Sequence, residues 1–345
     1  MLYRVFDAEQ LPALVAAFME SFEVVAPVAQ GAHHSFEPIS APEEIDLAYA
    51  TTLASPKRYL MPERETLMTY DARTNSVTDF TEEVRPRVIF GVHACDINAI
   101  NRLDLVFRDG RYPDPYYTAR RQATLIVGLS CSPHEACFCN LWDADEARFG
   151  YDLFLHNLGD KYLVSIASVE AANILEASVD LRDATDADRI EFRHATRARQ
   201  AAFNPAIPEI QDVAMLMDAF HEDDFWEELG GKCLSCNACA AVCPTCFCFD
   251  IADTLDADGA TGRRERIWDA CTSPQFDQVA GGHHFRAGGR ERVRHRMYHK
   301  LNGFLANHDR MLCVGCGRCA AACKAGISPI EVLKFFEKKG AEDVL

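Results

Sequence analysis

Two cysteine runs with one spacing carry most of the chemistry in this sequence. CLSCNACAAVCP starts at Cys233 and CVGCGRCAAACK starts at Cys313, so C-x2-C-x2-C-x3-C occurs twice in 345 residues. Three thiolates two residues apart bend a short loop around one face of an iron–sulfur cube. The fourth, one residue further on, points away and can serve a neighbouring cube. The spacing therefore predicts one [4Fe–4S] cluster on Cys233, Cys236 and Cys239 with Cys323, and a second on Cys313, Cys316 and Cys319 with Cys243. Structural zinc also takes four thiolates, but its usual layout is two separated C-x2-C pairs.

Seven of the fifteen cysteines remain. Cys95 in GVHACD follows one apolar run and Cys131 in LSCSPHEACFCN follows another, with Cys137 and Cys139 close behind. If the two runs are neighbouring parallel strands, these thiols emerge together at the carboxyl ends, where open α/β sheets place ligands. A helix starting after Asp96 would favour thiolate at Cys95. Four thiolates there suffice for a third [4Fe–4S] cluster, with zinc or unligated thiols as the alternatives. Cys246, Cys248 and Cys271 read as buried free thiols near the cluster environment, or as a replacement for one assigned ligand. Phe247 and Phe249 are expected to shield sulfur from water, which is one lever on cluster potential. His283 and His284 match no metal spacing and read as ordinary loop histidines.

Composition narrows the function class. The chain is 48% hydrophobic and 25% charged with a formal charge of −17, which argues against a nucleic-acid partner. The exception is the basic stretch from Arg263 to Lys300, which could neutralise clusters, dock an acidic partner or simply form a solvated face. The opening MLYRVFDAEQ has neither a basic nor an apolar leader region, and no apolar run is long enough for a membrane span. A cytoplasmic location with reduced thiols and no direct membrane insertion is the expectation. No G-x-G-x-x-G follows a predicted strand, and no phosphate loop or catalytic triad is visible, so no catalytic residue is assigned.

The positioning elements read as an α/β amino-terminal domain, residues 1–205, followed by an α-helical ferredoxin-like dicluster domain, residues 206–345. Leu11, Leu14, Val15 and Phe18 form one face of a helix, and residues 23–28 form a strand. The continuous apolar runs 88–92 and 124–129 have the pattern of strands buried on both faces, joined by a helix with Asp96 as N-cap and Ile100, Leu103 and Phe107 inside. Residues 157–160 mark a hairpin, and two prolines within 203–210 mark the domain boundary. Val213, Leu216, Met217 and Phe220 define a helix, and an acidic run at 222–228 leads into the first cysteine loop. The long insertion between the cysteine runs is expected to be helical. Ser328, Pro329 and Glu331 start a last helix expected to pack on the second cysteine loop through Val332, Phe335 and Phe336.

CPTCFCFDIAD, RIWDACTSPQFDQVAGGHHFR and CVGCGRCAAAC, together with GVHACDINAINRLD and CSPHEACFCN, resemble the iron–sulfur beta subunit of cytoplasmic [NiFe] hydrogenase/sulfur reductase complexes. They also resemble a related component of anaerobic sulfite reductase. The likeness covers most of the chain. It implies an electron-transfer subunit between a flavin- and NAD(P)-binding subunit and a catalytic partner, either the [NiFe] hydrogenase small and large subunits or another redox catalytic subunit. Flavin and nicotinamide would then sit on the partner and not on this chain. The ligand set it carries over is Cys233, Cys236, Cys239, Cys243, Cys313, Cys316, Cys319 and Cys323, with Cys95, Cys131, Cys137 and Cys139. Lys324 stands where the first run has Pro244 and could add positive charge near a cluster. A sulfite reductase, a formate-linked enzyme or another redox complex would use the same relay. A cluster-based redox sensor would call for an effector domain or a basic DNA-binding surface, and neither is visible.

Overall fold

The computed structural model describes residues 3–79 and 84–342. In chain order the first elements are β1 (Tyr3–Asp7), α1 (Leu11–Met19), β2 (Glu23–Gln30), β3 (His33–Pro38), β4 (Arg64–Asp71), β5 (Ser76–Asp79), β6 (Arg87–His93), α2 (Ala94–Phe107), α3 (Pro115–Gln122) and β7 (Thr124–Leu129). Next come β8 (Leu153–Asn157), β9 (Lys161–Ile166), α4 (Val169–Ser178), β10 (Arg182–Asp183) and α5 (Asp186–Ala201). The remainder is α6 (Val213–Ala219), α7 (Phe225–Lys232), α8 (Ala238–Ala241), β11 (Phe249–Leu255), β12 (Thr261–Trp268), α9 (Gly289–Leu301), α10 (Leu305–His308), α11 (Arg318–Ala322) and α12 (Pro329–Glu342).

The chain divides differently from a single cut at residue 205. One unit is Met1–Leu60 with Glu83–Asn204, and the other is Met61–Glu82 with Pro205–Leu345. The reason is strand pairing: β4 and β5 join β12 and β11 in an antiparallel sheet of order β11-β12-β4-β5. Glu65 on β4 and Arg266 on β12 meet there as a buried ion pair, the Arg266 Nε donating to Glu65 Oε1 at 2.6 Å.

The first unit is built on an eight-stranded sheet of order β10-β1-β9-β8-β7-β6-β2-β3. Strands β2, β6, β7 and β8 run parallel, and the flanking strands are antiparallel. β7 is buried at every position, as a continuous apolar run requires when both faces are covered. Leu14, Val15 and Phe18 of α1 are buried, and Phe18 meets Phe90 of β6 edge to face. The expected hairpin at 157–160 joins β8 to β9, with Gly159 in the left-handed region. The helix after β6 starts earlier than expected: His93 takes the N-cap position, and Asp96 lies inside the first turn.

In the second unit the insertion between the cysteine runs is not wholly helical. It opens with the β11–β12 hairpin, turning at Gly259 with φ +69°, before α9. Gly230 of α7 and Gly289 of α9 sit where the helices meet. A Cβ on Gly230 would stand 2.3 Å from the Arg290 nitrogen, so only glycine permits this approach. The last helix begins at Pro329 as expected, and its two aromatic side chains meet the rings that precede the first cysteine loop. Phe335 stacks on Phe225 of α7 at 4.1 Å, and Phe220, the residue that ends α6, contacts both Phe335 and Phe336.

Candidate metal centres

The two cysteine loops share one backbone design. Ser235 and Asn237 in the first have φ 50° and 63°, and Gly315 and Gly317, at the equivalent places in the second, have φ 65° and 73°. These left-handed residues curl each loop so that amides point inward. The Ser235 amide donates to Cys233 Sγ at 3.4 Å and the Gly315 amide to Cys313 Sγ at 3.5 Å. The Ile327 amide donates to Cys323 Sγ at 3.3 Å. Each loop then enters a short helix, α8 or α11, and these two helices pack together.

Among the described residues, no three or more His, Cys, Asp or Glu side chains are gathered as for a bound metal ion. A four-iron cube presents separate corners, so fit is judged by which thiols share a space. Cys233, Cys236, Cys239 and Cys323 line one cavity, together with Arg296 and Met297. Cys323 belongs to the second run, so the fourth thiol crosses over. Around Cys319 the thiols are Cys313, Cys243 and Cys316, with Cys243 crossing from the first run. Burial pushes the Cys319 thiol far above its ordinary range, Arg296 opposes that, and the neighbouring thiols add to it. The donor sets thus suit two four-iron clusters, whose binding would displace the thiol protons.

In the first unit β6 and β7 are paired neighbours, and Cys95 and Cys131 follow their carboxyl ends. Cys137 and Cys139 have their sulfurs 3.4 Å apart. The Cys139 thiol is pushed far up by its hydrogen bond with Cys137, by burial, and by the nearness of Cys95, Cys137 and Cys131, so the other three thiols of the set all act on it. Cys131 is raised to about 11 by burial and by Cys137. A cavity of about 1050 Å³ opens beside Cys131, walled by Tyr49, Phe154, His156, Phe192 and Arg199.

The family model of a 4Fe-4S dicluster domain matches residues 232–327. The chain is 35% identical over 334 residues to sulfhydrogenase 2 subunit beta of Pyrococcus furiosus, spanning 96% of this chain and 98% of that protein. The chain belongs to the sulfhydrogenase beta-subunit family. No solved structure matches it.

The remaining cysteines of this family member lie beside the dicluster loops. Cys246 is buried and contacts Cys243, and it accepts a hydrogen bond from Arg296 Nη1 at 3.2 Å. Cys248 and Cys271 hydrogen-bond to each other, which lowers Cys248 and raises Cys271. Phe247 packs on His299, whereas Phe249 is 37% exposed under the Arg266 guanidinium and so covers the sheet face more than any sulfur. His283 meets Phe285 edge to face, and His284 lies 3.6 Å from Asp277.

The basic stretch separates into two populations. Arg264 and Arg266 pair with Asp253 and Glu65, while Arg290 and Arg294 pair with Glu222. Arg292, Arg296 and Lys300 of α9 are buried with neutral oxygen and sulfur acceptors in place of carboxylates. Their spacing of four places them on one helix face, and that periodicity is the signal for them available in the sequence.

Proposed function

We propose that this chain is the electron-transfer subunit of a hydrogenase-type complex. Cys233, Cys236, Cys239 and Cys323 hold one [4Fe–4S] cluster, and Cys313, Cys316, Cys319 and Cys243 hold a second. Cys95, Cys131, Cys137 and Cys139 hold a third in the amino-terminal domain. Such clusters exchange single electrons, and four thiolates each leave no open position for substrate. The protein's own part is to fix the thiols and direct amides at sulfur, with Cys236 left exposed at the edge of the first centre.

The observation that carries this reading is the reciprocal crossover of Cys323 and Cys243 between two matching loops. Because each loop lends its fourth thiol to the other, the two centres are held side by side, as an electron relay needs. The name of the Pyrococcus relative supports a sulfhydrogenase setting. The partners are then a flavin- and NAD(P)-binding subunit and a [NiFe] catalytic subunit, with no flavin or nicotinamide on this chain and a cytoplasmic location. No described helix is long and apolar enough to cross a membrane.

Anaerobic affinity purification from the native host, with identification of co-purifying subunits, tests the setting. A nickel subunit with a flavoprotein is expected. A siroheme or molybdenum subunit would keep the relay and replace the host enzyme, and a chain recovered alone would overturn the proposal of partners.

A further inference from the structure

Helix α9 buries three cations on one face. Arg292, Arg296 and Lys300 are 9%, 4% and 3% exposed, and no carboxylate among the described residues pairs with any of them. A buried cation without an anion is costly, so the location of the compensating charge is informative. Arg292 reaches the first loop through Ser235 Oγ at 3.3 Å and otherwise holds the carbonyls of Arg286 and Ala287, while its Nε is buried without a hydrogen-bond partner. Arg296 donates to Cys246 Sγ and to the Cys239 carbonyl at 2.9 Å. Lys300 donates to the Thr245 carbonyl and hydroxyl, and its own carbonyl accepts from the Cys313 amide.

Sulfur is the counter-charge within reach. Burial opposes the charge on Arg296, but the thiols of Cys246, Cys239, Cys243 and Cys319 hold it well above the ordinary arginine range, and these come from both loops. Burial likewise opposes Lys300, which Cys243, Cys246 and Cys313 hold up.

Resting on the cluster assignment above, we propose that α9 is a built-in counter-ion ladder for the two carboxy-terminal centres. Arg292 faces the centre of Cys233, Cys236, Cys239 and Cys323. Lys300 faces the centre of Cys313, Cys316, Cys319 and Cys243, and Arg296 is shared by both. Each added electron makes a thiolate-ligated centre more negative, so a fixed cation beside it favours the reduced form. A shared cation lowers the cost of reducing either centre. These are positioning residues that set potentials, and they do not bind substrate.

The test is an anaerobic redox titration of the full chain followed by electron paramagnetic resonance, with iron content measured on each sample. Arg296→Gln is expected to move both carboxy-terminal centres to lower potential. A tenfold fall in the reduced-to-oxidised ratio at fixed potential corresponds to about 59 mV for a one-electron couple. Arg296→Lys should restore most of the shift. Arg292→Gln should move only the first centre, Lys300→Gln only the second, and Arg294→Gln, whose side chain pairs with Glu222, neither. The centre at Cys95, Cys131, Cys137 and Cys139 should hold still throughout. Unchanged potentials at full iron content would overturn the ladder, as would equal shifts in every centre or a shift from Arg294→Gln. If Arg296→Gln loses iron, the two flanking variants carry the same test. A wild-type chain with no reducible centre would overturn the cluster assignment itself, a result distinguishable from failure of the ladder.

Discussion

The second unit gathers its thiols by repeating a loop, and the first gathers them by placing two strands side by side. In the carboxy-terminal pair, local spacing and four left-handed residues shape the sites, and only the crossover of Cys243 and Cys323 is long-range. In the amino-terminal set, Cys95 and Cys131 come together only because β6 pairs with β7. The electrical surroundings differ as well. Arg296 and Lys300 lie among the thiols of the second unit. Cys139 lies buried near other thiols, and at Cys131, also buried, Arg199 is opposed by Asp145.

The strongest way to separate the two regions is to remove one ligand from each. Cys139→Ser should cost the amino-terminal centre, about four of twelve irons, and leave the signals of the other two intact. Cys323→Ser should remove the centre formed by the first loop, although the mutated residue belongs to the second. Loss of the other centre instead would show that the thiols do not cross.

Next in size is the sheet that lends residues 61–82 to the second unit. Arg266→Met removes the buried Arg266–Glu65 ion pair, a loss that costs about 3–5 kcal/mol. Hydrogen exchange should show β4 and β12 opening first, and protection that is unchanged in these strands would mean the ion pair does not hold the hairpin.

A pH series probes the first unit. Burial, aided by Arg199, lowers His156 to about 4, so the folded form keeps it neutral while the unfolded chain binds a proton below about 6.5. Its contribution is complete above pH 6.5 and is lost as pH falls toward 4, at no more than about 1.4 kcal/mol per pH unit. Chemical denaturation of His156→Phe should show that slope reduced. An unchanged slope would place the acid sensitivity in other groups.

The smallest expected effect is in the second loop, where Gly317→Ala forces a side chain into φ +73° and should cost about 1–2 kcal/mol. Asn237 occupies the matching place in the first loop and accepts from Thr272 Oγ1 at 2.9 Å, so a polar side chain bears the same backbone there. Thermal unfolding of the Ala variant in the cluster-free chain isolates the backbone cost from metal binding.

What can be read from the sequence follows the same divide. The dicluster loops are legible because their ligands are contiguous, and β6 and β7 are legible because strands buried on both faces appear as unbroken apolar runs. The hairpins β4–β5 and β11–β12 are not legible. β11 is exposed over most of its length, and its alternate apolar positions Phe249, Ile251 and Leu255 are interrupted by Asp253 and face solvent, so its strand state comes from pairing with β12, a tertiary effect weakly marked in local pattern. The helix start at Ala94 is misplaced by sequence pattern because Asp96 is a good cap residue by type, while the strand runs to His93 and leaves no room for a turn before the helix. The basic stretch stands out by composition, but only the fold separates arginines paired with carboxylates from those turned toward sulfur.

The central claim, one relay with centres in both units, is tested most directly by iron analysis of the anaerobically purified full chain together with Mössbauer spectroscopy. About twelve irons per chain, all in four-iron clusters, is the expected result. About eight irons, with Cys139→Ser indistinguishable from wild type, would contradict it and confine the wiring to the carboxy-terminal pair.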